Sequence, residues 1–172
     1  MQPPARDALA RAHTSAVHLE MRDHYRLDDP GYIAWRAGTR IDPADRTSWW
    51  DGWHDHVAAA AERGVSVRRA RIVAEPVTDY VRWEHHLTFG NVAAGELVRW
   101  LPRRLAVGLM LPATDFWLFD GATLLLHHFG GDGRLDEDGR EYTTDPGLVE
   151  ACAAAFEAVW QRAIPHEEYR PR

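Results

Sequence analysis

Six of the ten histidines stand in close pairs: His54 with His56, His85 with His86, and His127 with His128. Imidazole is the commonest metal ligand and the natural general base near neutral pH. The spacings are poor for chelation, because residues two apart on a helix, or adjacent on a strand, point away from each other. His-Glu-x-x-His is absent, and so is Gly-x-Ser-x-Gly. One member of each pair could still meet across the fold. A metal-assisted or acid–base hydrolase or tailoring enzyme using His85 or His86, His127 or His128 and a nearby carboxylate is therefore the second reading. The carboxylate pairs Asp115 with Asp120, and Glu75 with Asp79, lack a positioned partner and read as caps or ion pairs. Gly130-Gly-Asp-Gly133 is not followed by a helix, as a phosphate loop would be, and Asp132, Asp136 and Asp138 do not match an EF-hand.

Arginine and tryptophan offer a better constellation. Arg69, Arg71, Arg82, Arg99, Trp100, Arg103, Asp115 and Trp117 fall near expected strand ends, and open α/β sheets bind ligands beyond the carboxyl ends of their strands. Guanidinium groups beside indoles suit a planar or anionic small molecule, or an acidic segment of a protein partner. The competing account is an ion-pair network that closes the end of the sheet. Binding at this end requires Arg71, Arg99 and Trp100 to share one partly exposed hollow.

The elements that must position these groups follow from pattern. Apolar Leu9, Ala12, Ala16 and Leu19 step by three and four, which predicts a helix from Ala5 to about Tyr25. Asp29-Pro30 starts a short helix that Gly38 ends, and Asp42-Pro43 starts a third that runs to Arg63, with Trp49, Trp50 and Trp53 on its core stripe and Gly64 as its stop. Residues 65–73 predict a strand with Val65, Val67, Arg69, Arg71 and Val73 on one face and Ser66, Arg68, Ala70 and Ile72 on the other. At least one arginine then lies against apolar surface and needs a counter-charge, from an acidic side chain, for which Glu75, Asp79 and Glu84 are nearest, or from an anionic ligand. Thr78-Asp79 could cap a segment through Phe89, and 90–95 is a turn or short helix. Leu97–Leu101 is a strand, and 102–109 is helical. Asp115–His127 is a hairpin turning at Asp120-Gly121. Residues 130–141 form a mobile loop, and Asp145-Pro146 opens a last helix that buries Leu148, Cys152, Ala155, Phe156, Val159 and Ala163. Residues 1–4 and 165–172 are loose tails.

Strands separated by helices, with a late hairpin, predict one α/β or α+β domain over residues 1–172, with a mixed sheet of about four or more strands and helices on its faces. The 172 residues, 45% hydrophobic and 27% charged, suit one globular core. All twenty basic residues are arginine, and the net charge of −6 argues against direct nucleic-acid binding. The lone Cys152 excludes an internal disulfide and reads as a small buried hydrophobe. No apolar run is long enough to span a membrane, so a cytoplasmic protein is expected.

Four blocks carry a resemblance: Val67–Tyr80, Val98–Arg103, Asp115–Asp120 and Ala155–Trp160. They are similar to an actinobacterial family of domains of unknown function encoded near helix-turn-helix regulators and small accessory proteins. The resemblance implies a regulatory or accessory role. A weaker similarity is to half of a phospholipase-D-like domain, whose strand carries His-x-Lys-x4-Asp before an Asp-Gly turn. Alignment on Asp120-Gly121 sets Ala113 at the histidine and Asp115 at the lysine, which implies a non-catalytic relative and, by analogy, a homodimer. The leading expectation is a non-enzymatic binding protein without cofactor or metal. It would engage a small anionic or aromatic ligand, or a transcriptional-regulator partner, through Arg69, Arg71, Arg82, Arg99, Trp100, Asp115 and Trp117. Exposed surface around Trp35, Trp49 and Trp53 would instead favour a structural partner subunit.

Overall fold

The structure, a computed structural model, describes residues 4–135 and 137–172; the first three residues of the expected loose N-terminus and Asp136 fall outside it. Local capping chemistry accounts for most helix starts. Asp29 accepts hydrogen bonds from the backbone N–H groups of Gly31 and Tyr32, opening a helix at Pro30–Arg36. Thr78 caps Asp79–Ala93 through the N–H of Val81, and Asp145 caps Pro146–Arg162 through that of Leu148. In chain order the helices are α1 (Ala5–Leu9), α2 (Pro30–Arg36), α3 (Gly52–Glu62), α4 (Asp79–Ala93) and α5 (Pro146–Arg162).

Among the described residues seven strands form one sheet: β1 (Ser15–Glu20), β2 (Ser66–Val73), β3 (Leu97–Pro102), β4 (Asp115–Phe119), β5 (Thr123–His127), β6 (Arg140–Thr143) and β7 (Ile164–Pro165). Their spatial order is β6-β5-β4-β1-β2-β3-β7. β1, β2 and β3 run parallel, and the remaining pairs are antiparallel. This is the mixed α/β architecture that the pattern predicts.

The hairpin turns where expected, with Asp120 and Gly121 both at positive φ, 52° and 63°, as a two-residue hairpin turn requires. The Asp120 carboxylate accepts the backbone N–H groups of His13, Thr14 and Ser15 and the Thr14 hydroxyl. It thereby ties the turn to the start of β1. Slight burial works against ionisation here, but these donors hold its carboxyl down to about 2.

Several expectations are corrected. The helix predicted from Ala5 to Tyr25 stops at Leu9, and its second half is β1, the central strand, buried on both faces from Ala16 to Glu20. Steps of three and four among short apolar residues do not separate a helix from a strand buried on both sides. The third helix begins at Gly52, not at Pro43, because Asp51 and His54 form a reciprocal capping box there. Residues 103–106 make only one 3-10 turn, and the loop after the hairpin ends in β6, which pairs with β5. Leu148 is exposed. The C-terminal tail is anchored: Tyr169 is buried, stacked 5.6 Å from Trp100, and the Arg172 carbonyl accepts the Val77 N–H.

The two faces of the sheet are covered differently. α5 lies on one, closing a core of Val17, Leu19, Ala70, Ile72, Phe116, Leu118 and Leu124 with Phe156 and Val159. α1 and α3 cover the other face only around Ala16, Val67, Trp117, Phe119 and Leu125, and α4 covers it towards β3. Among the described residues no helix is long and apolar enough to cross a membrane.

Candidate functional site

Strand register decides what gathers on the face away from α5. Partners across neighbouring strands share a face, so His18 of β1 stands between Trp117 of β4 and Arg69 of β2. One row further along, Glu20 stands beside Arg71, which is in turn level with Trp100 of β3. Asp115, His127 and Arg140 continue that face across β4, β5 and β6. A cleft of about 760 Å³ opens at the carboxyl end of β1. Its floor is His18, Glu20, Asp115 and His127, and its rim includes Tyr25, Arg26, Phe129, Arg134 and Arg140.

Beneath the floor lies a closed ionic cluster. Arg69 donates to Glu96 through Nε at 2.7 Å and through Nη2 at 3.3 Å, and to Glu20 through Nη1 at 3.2 Å. Arg71 meets the second Glu20 oxygen at 2.6 Å and pairs with Glu84 from α4. Burial works against the charge on both guanidinium groups, but Glu96, Glu20 and Glu84 outweigh it and raise their proton affinity above the ordinary value. Three carboxylates thus face two arginines. Burial, with the Glu20 charge beside it, raises the Glu84 carboxyl above its ordinary range despite Arg71.

The two imidazoles of the floor are kept neutral. His18 stacks on Trp117 at 4.1 Å, and its Nδ1 has no hydrogen-bond partner among the described residues. Burial first, then Arg69, pushes its proton affinity well below that of a free imidazole. His127, with its ring 6.0 Å from that of His18, is lowered to about 4 by burial and by Arg140. Burial and the Glu20 charge raise Asp115 to about 6, although Tyr25 donates its phenol to it at 2.5 Å and the Met21 N–H donates at 3.0 Å. Two loops form the walls. Arg22 lies over the Phe129 ring at 4.5 Å, and Arg134 reaches Asp28 across the mouth at 3.6 Å.

Of the residues singled out by type, four come together: Asp115 on the floor, Trp117 beneath His18, and Arg69 and Arg71 in the cluster. Trp100 packs against the Arg71 guanidinium, its ring centroid 5.3 Å away, but does not line the cleft, and Arg99 and Arg82 do not join them. Arg99 points to the α5 face, donating to the Trp160 carbonyl at 3.0 Å and covering its ring at 4.4 Å. Trp100 is fully buried on the opposite face and donates to His166. Adjacent strand residues diverge, so the expected shared hollow of Arg71, Arg99 and Trp100 does not form. Arg82 is exposed on α4. Arg103, also singled out, fastens the turn after β1 by donating to the Met21 and Ile72 carbonyls.

The counter-charges also differ from expectation. Glu84 serves, whereas Glu75 pairs with Arg104 and Tyr169, and Asp79 sits in the first turn of α4. Glu20 and Glu96 do most of the work. His18, Glu20, Tyr25, Glu96 and Arg140 were not singled out. The available signal was the alternation of His18 and Glu20 with Val17 and Leu19.

The histidine pairs separate as well. His85 packs against Trp100, His166 and Tyr169, away from His127, and His128 pairs with Glu141 at 2.7 Å. Among the described residues no three or more His, Cys, Asp or Glu side chains are grouped to hold a metal ion.

This fold and cleft define a mixed α/β domain with a polar crevice at its strand ends. The chain belongs to the family described as a domain of unknown function (DUF6879), whose model matches residues 4–171. No curated protein matches it in sequence. Among solved structures it is similar to Nuc, a phospholipase D family member from Salmonella typhimurium, with a TM-score of 0.50 and 14% identity over 96% of this chain and 88% of that one. TrmBL2, described as an archaeal chromatin protein with a novel mode of DNA binding, matches at a TM-score of 0.47 and 13% identity over 92% of this chain. The chain spans about half of TrmBL2, 48% of its length. The likeness to Nuc is one of fold.

Proposed function

We propose that this chain is a binding protein for a small anion bearing hydroxyl or amino groups, held in the cleft at the end of β1. One observation carries the reading: His18, a buried imidazole, lines this cleft, and its Nδ1, 3.4 Å from a Glu20 carboxylate oxygen, makes no well-formed hydrogen bond to any described residue. The polarity of the cleft suggests the orientation. Arg26, Arg134 and Arg140 at the rim suit the anionic group, and Glu20, Asp115 and the imidazoles suit hydrogen-bond donors at the buried end. A regulatory or accessory role fits such a ligand, which would bias the loops at residues 21–28 and 128–135.

A second reading, acid–base catalysis, draws on Asp115 and His127, whose proton affinities are shifted in opposite senses within one cleft. It replaces the expected His85 or His86 with groups that share one site.

The test is a fragment screen by NMR with small hydroxylated or amino-bearing carboxylates and phosphates. Hits should shift the His18 and His127 ring resonances and should bind at least tenfold more weakly to Arg140→Ala. A screen whose hits leave both rings unmoved would sink the binding reading. Turnover of a hit that is lost in Asp115→Asn would favour catalysis.

A further inference from the structure

Glu20 and Asp115 meet where β1 ends and β4 begins. The antiparallel register sets His18 opposite Trp117 and Leu19 opposite Phe116, and the next position sets Glu20 opposite Asp115 on the cleft floor. Like charges directly across a sheet repel one another, and these two residues are 8% and 2% exposed. Glu20 is answered by Arg69 and Arg71. Asp115 forms no ion pair among the described residues; the groups that bond to it, the Tyr25 phenol and the Met21 N–H, are uncharged. Beyond the burial that opposes its charge, Glu20 weighs more on Asp115 than Arg22 does.

The imbalance runs through the whole buried end. Glu20, Glu84, Glu96 and Asp115 stand there against Arg69 and Arg71. At the rim the balance reverses, with Arg26, Arg134 and Arg140 against Asp28 and Asp132. Arg26 and Arg134 both lie near Asp28, whereas Arg140 forms no ion pair among the described residues. Asp115, His127 and Arg140 stand in one row on three neighbouring strands. Asp115 and Arg140 are therefore two strand spacings apart, about 10 Å between backbones. Less the reach of the two side chains, that separation suits a ligand whose opposite charges lie a few bonds apart.

The positive charge that the base calls for has a particular chemistry. A divalent metal needs converging ligands, and no three His, Cys, Asp or Glu side chains converge so among the described residues. A hydroxyl would leave the two carboxylates facing each other uncompensated. An ammonium group brings both the charge and three N–H donors. Asp115 has used two of its about four acceptor sites. His18, 7% exposed, brings a ring nitrogen to the same spot, 3.4 Å from Glu20 Oε1 and without a well-formed hydrogen bond. We infer that the cleft takes a zwitterion, a short amino acid whose ammonium group sits between Glu20 and Asp115 and whose carboxylate meets Arg140. The inference rests on the cleft reading above and narrows its ligand to a charged amine.

The probes are 4-aminobutyrate and 4-hydroxybutyrate, titrated calorimetrically into the full chain while NMR follows the His18 and His127 rings. The amino acid should bind roughly tenfold or more tightly than the hydroxy acid, because its hydrogen bonds join charged partners. That preference should collapse in Asp115→Asn, with 4-hydroxybutyrate still bound. The comparison in the unaltered chain stands by itself should the variant not fold. Equal affinity for the two acids, or a preference that survives in folded Asp115→Asn, would overturn the zwitterion and leave the anion cleft standing. Binding of neither acid would also overturn it, and the cleft reading falls with it only if the fragment screen leaves both rings unmoved.

Discussion

The two faces of the central sheet solve opposite problems with the same strands. Under α5, residues from five strands and the helix make an apolar core in which every contact is interchangeable in kind. On the other face the same strands carry His18, Glu20, Arg69, Arg71 and Asp115 in register, and each depends on a particular partner. Apolar burial tolerates repacking, whereas buried charge does not, because an ion stripped of water is stable only beside its counter-charge. The first face holds the fold together. The second holds a polar cleft open at its edge.

Two truncations with the largest expected effects would test that contrast directly. Phe156→Ala, under α5, should cost about 3–5 kcal/mol in denaturant unfolding, by an amount that changes little between pH 5 and 8. Arg71→Met should cost about as much, ~3–5 kcal/mol at neutral pH, because it strands Glu20 and Glu84. That loss should shrink as the pH is lowered and the stranded carboxyls take up protons. Equal pH dependence in the two variants would erase the distinction between the faces.

Asp120→Asn should come next, costing about 1–2 kcal/mol, since charge-assisted bonds to the backbone are exchanged for neutral ones. The folded carboxyl is held near 2, below its ordinary 3.8, so its contribution is fully present above pH 3.8 and disappears as the pH falls through 2. Acid unfolding curves of the wild type and the variant should therefore converge at low pH.

The smallest effect expected is a change of slope. His127 stays neutral in the fold down to about pH 4 while the unfolded imidazole takes a proton near 6.5, so stability falls as the pH drops through that window. Asp115, raised to about 6 from 3.8, acts in the opposite sense, its penalty growing as the pH rises between those values. His127→Gln should leave the Asp115 slope exposed. Imidazole nitrogen shifts provide an independent check: His18 or His127 titrating near 6.5 in the folded protein would contradict a desolvated floor.

Much of the framework was legible because its causes are local. Asp29-Pro30, Thr78-Asp79 and Asp145-Pro146 mark helix starts through bonds that reach only two or three residues. Asp120-Gly121 names its own turn, and the alternation in β2 sorts its arginines onto two faces as expected. The strand that organises the site was not legible. Ser15–Glu20 puts a histidine and a glutamate in the centre of a sheet, which no local rule favours, and its apolar residues match helical spacing as well.

The sequence alone determined the class of fold, the caps of three helices, the hairpin, and the need for a counter-charge beside the arginines of β2. Only the tertiary structure decided which carboxylates answer, and that Trp160 covers Arg99 while Tyr169 covers Trp100. The reason lies in chain distance. Glu20 meets Arg69 across 49 residues, Asp115 meets Tyr25 across 90, and Glu96 meets Arg69 across 27. A buried charge announces in the sequence that it must be paired, but the packing of strands, turn and helix in three dimensions selects the partner.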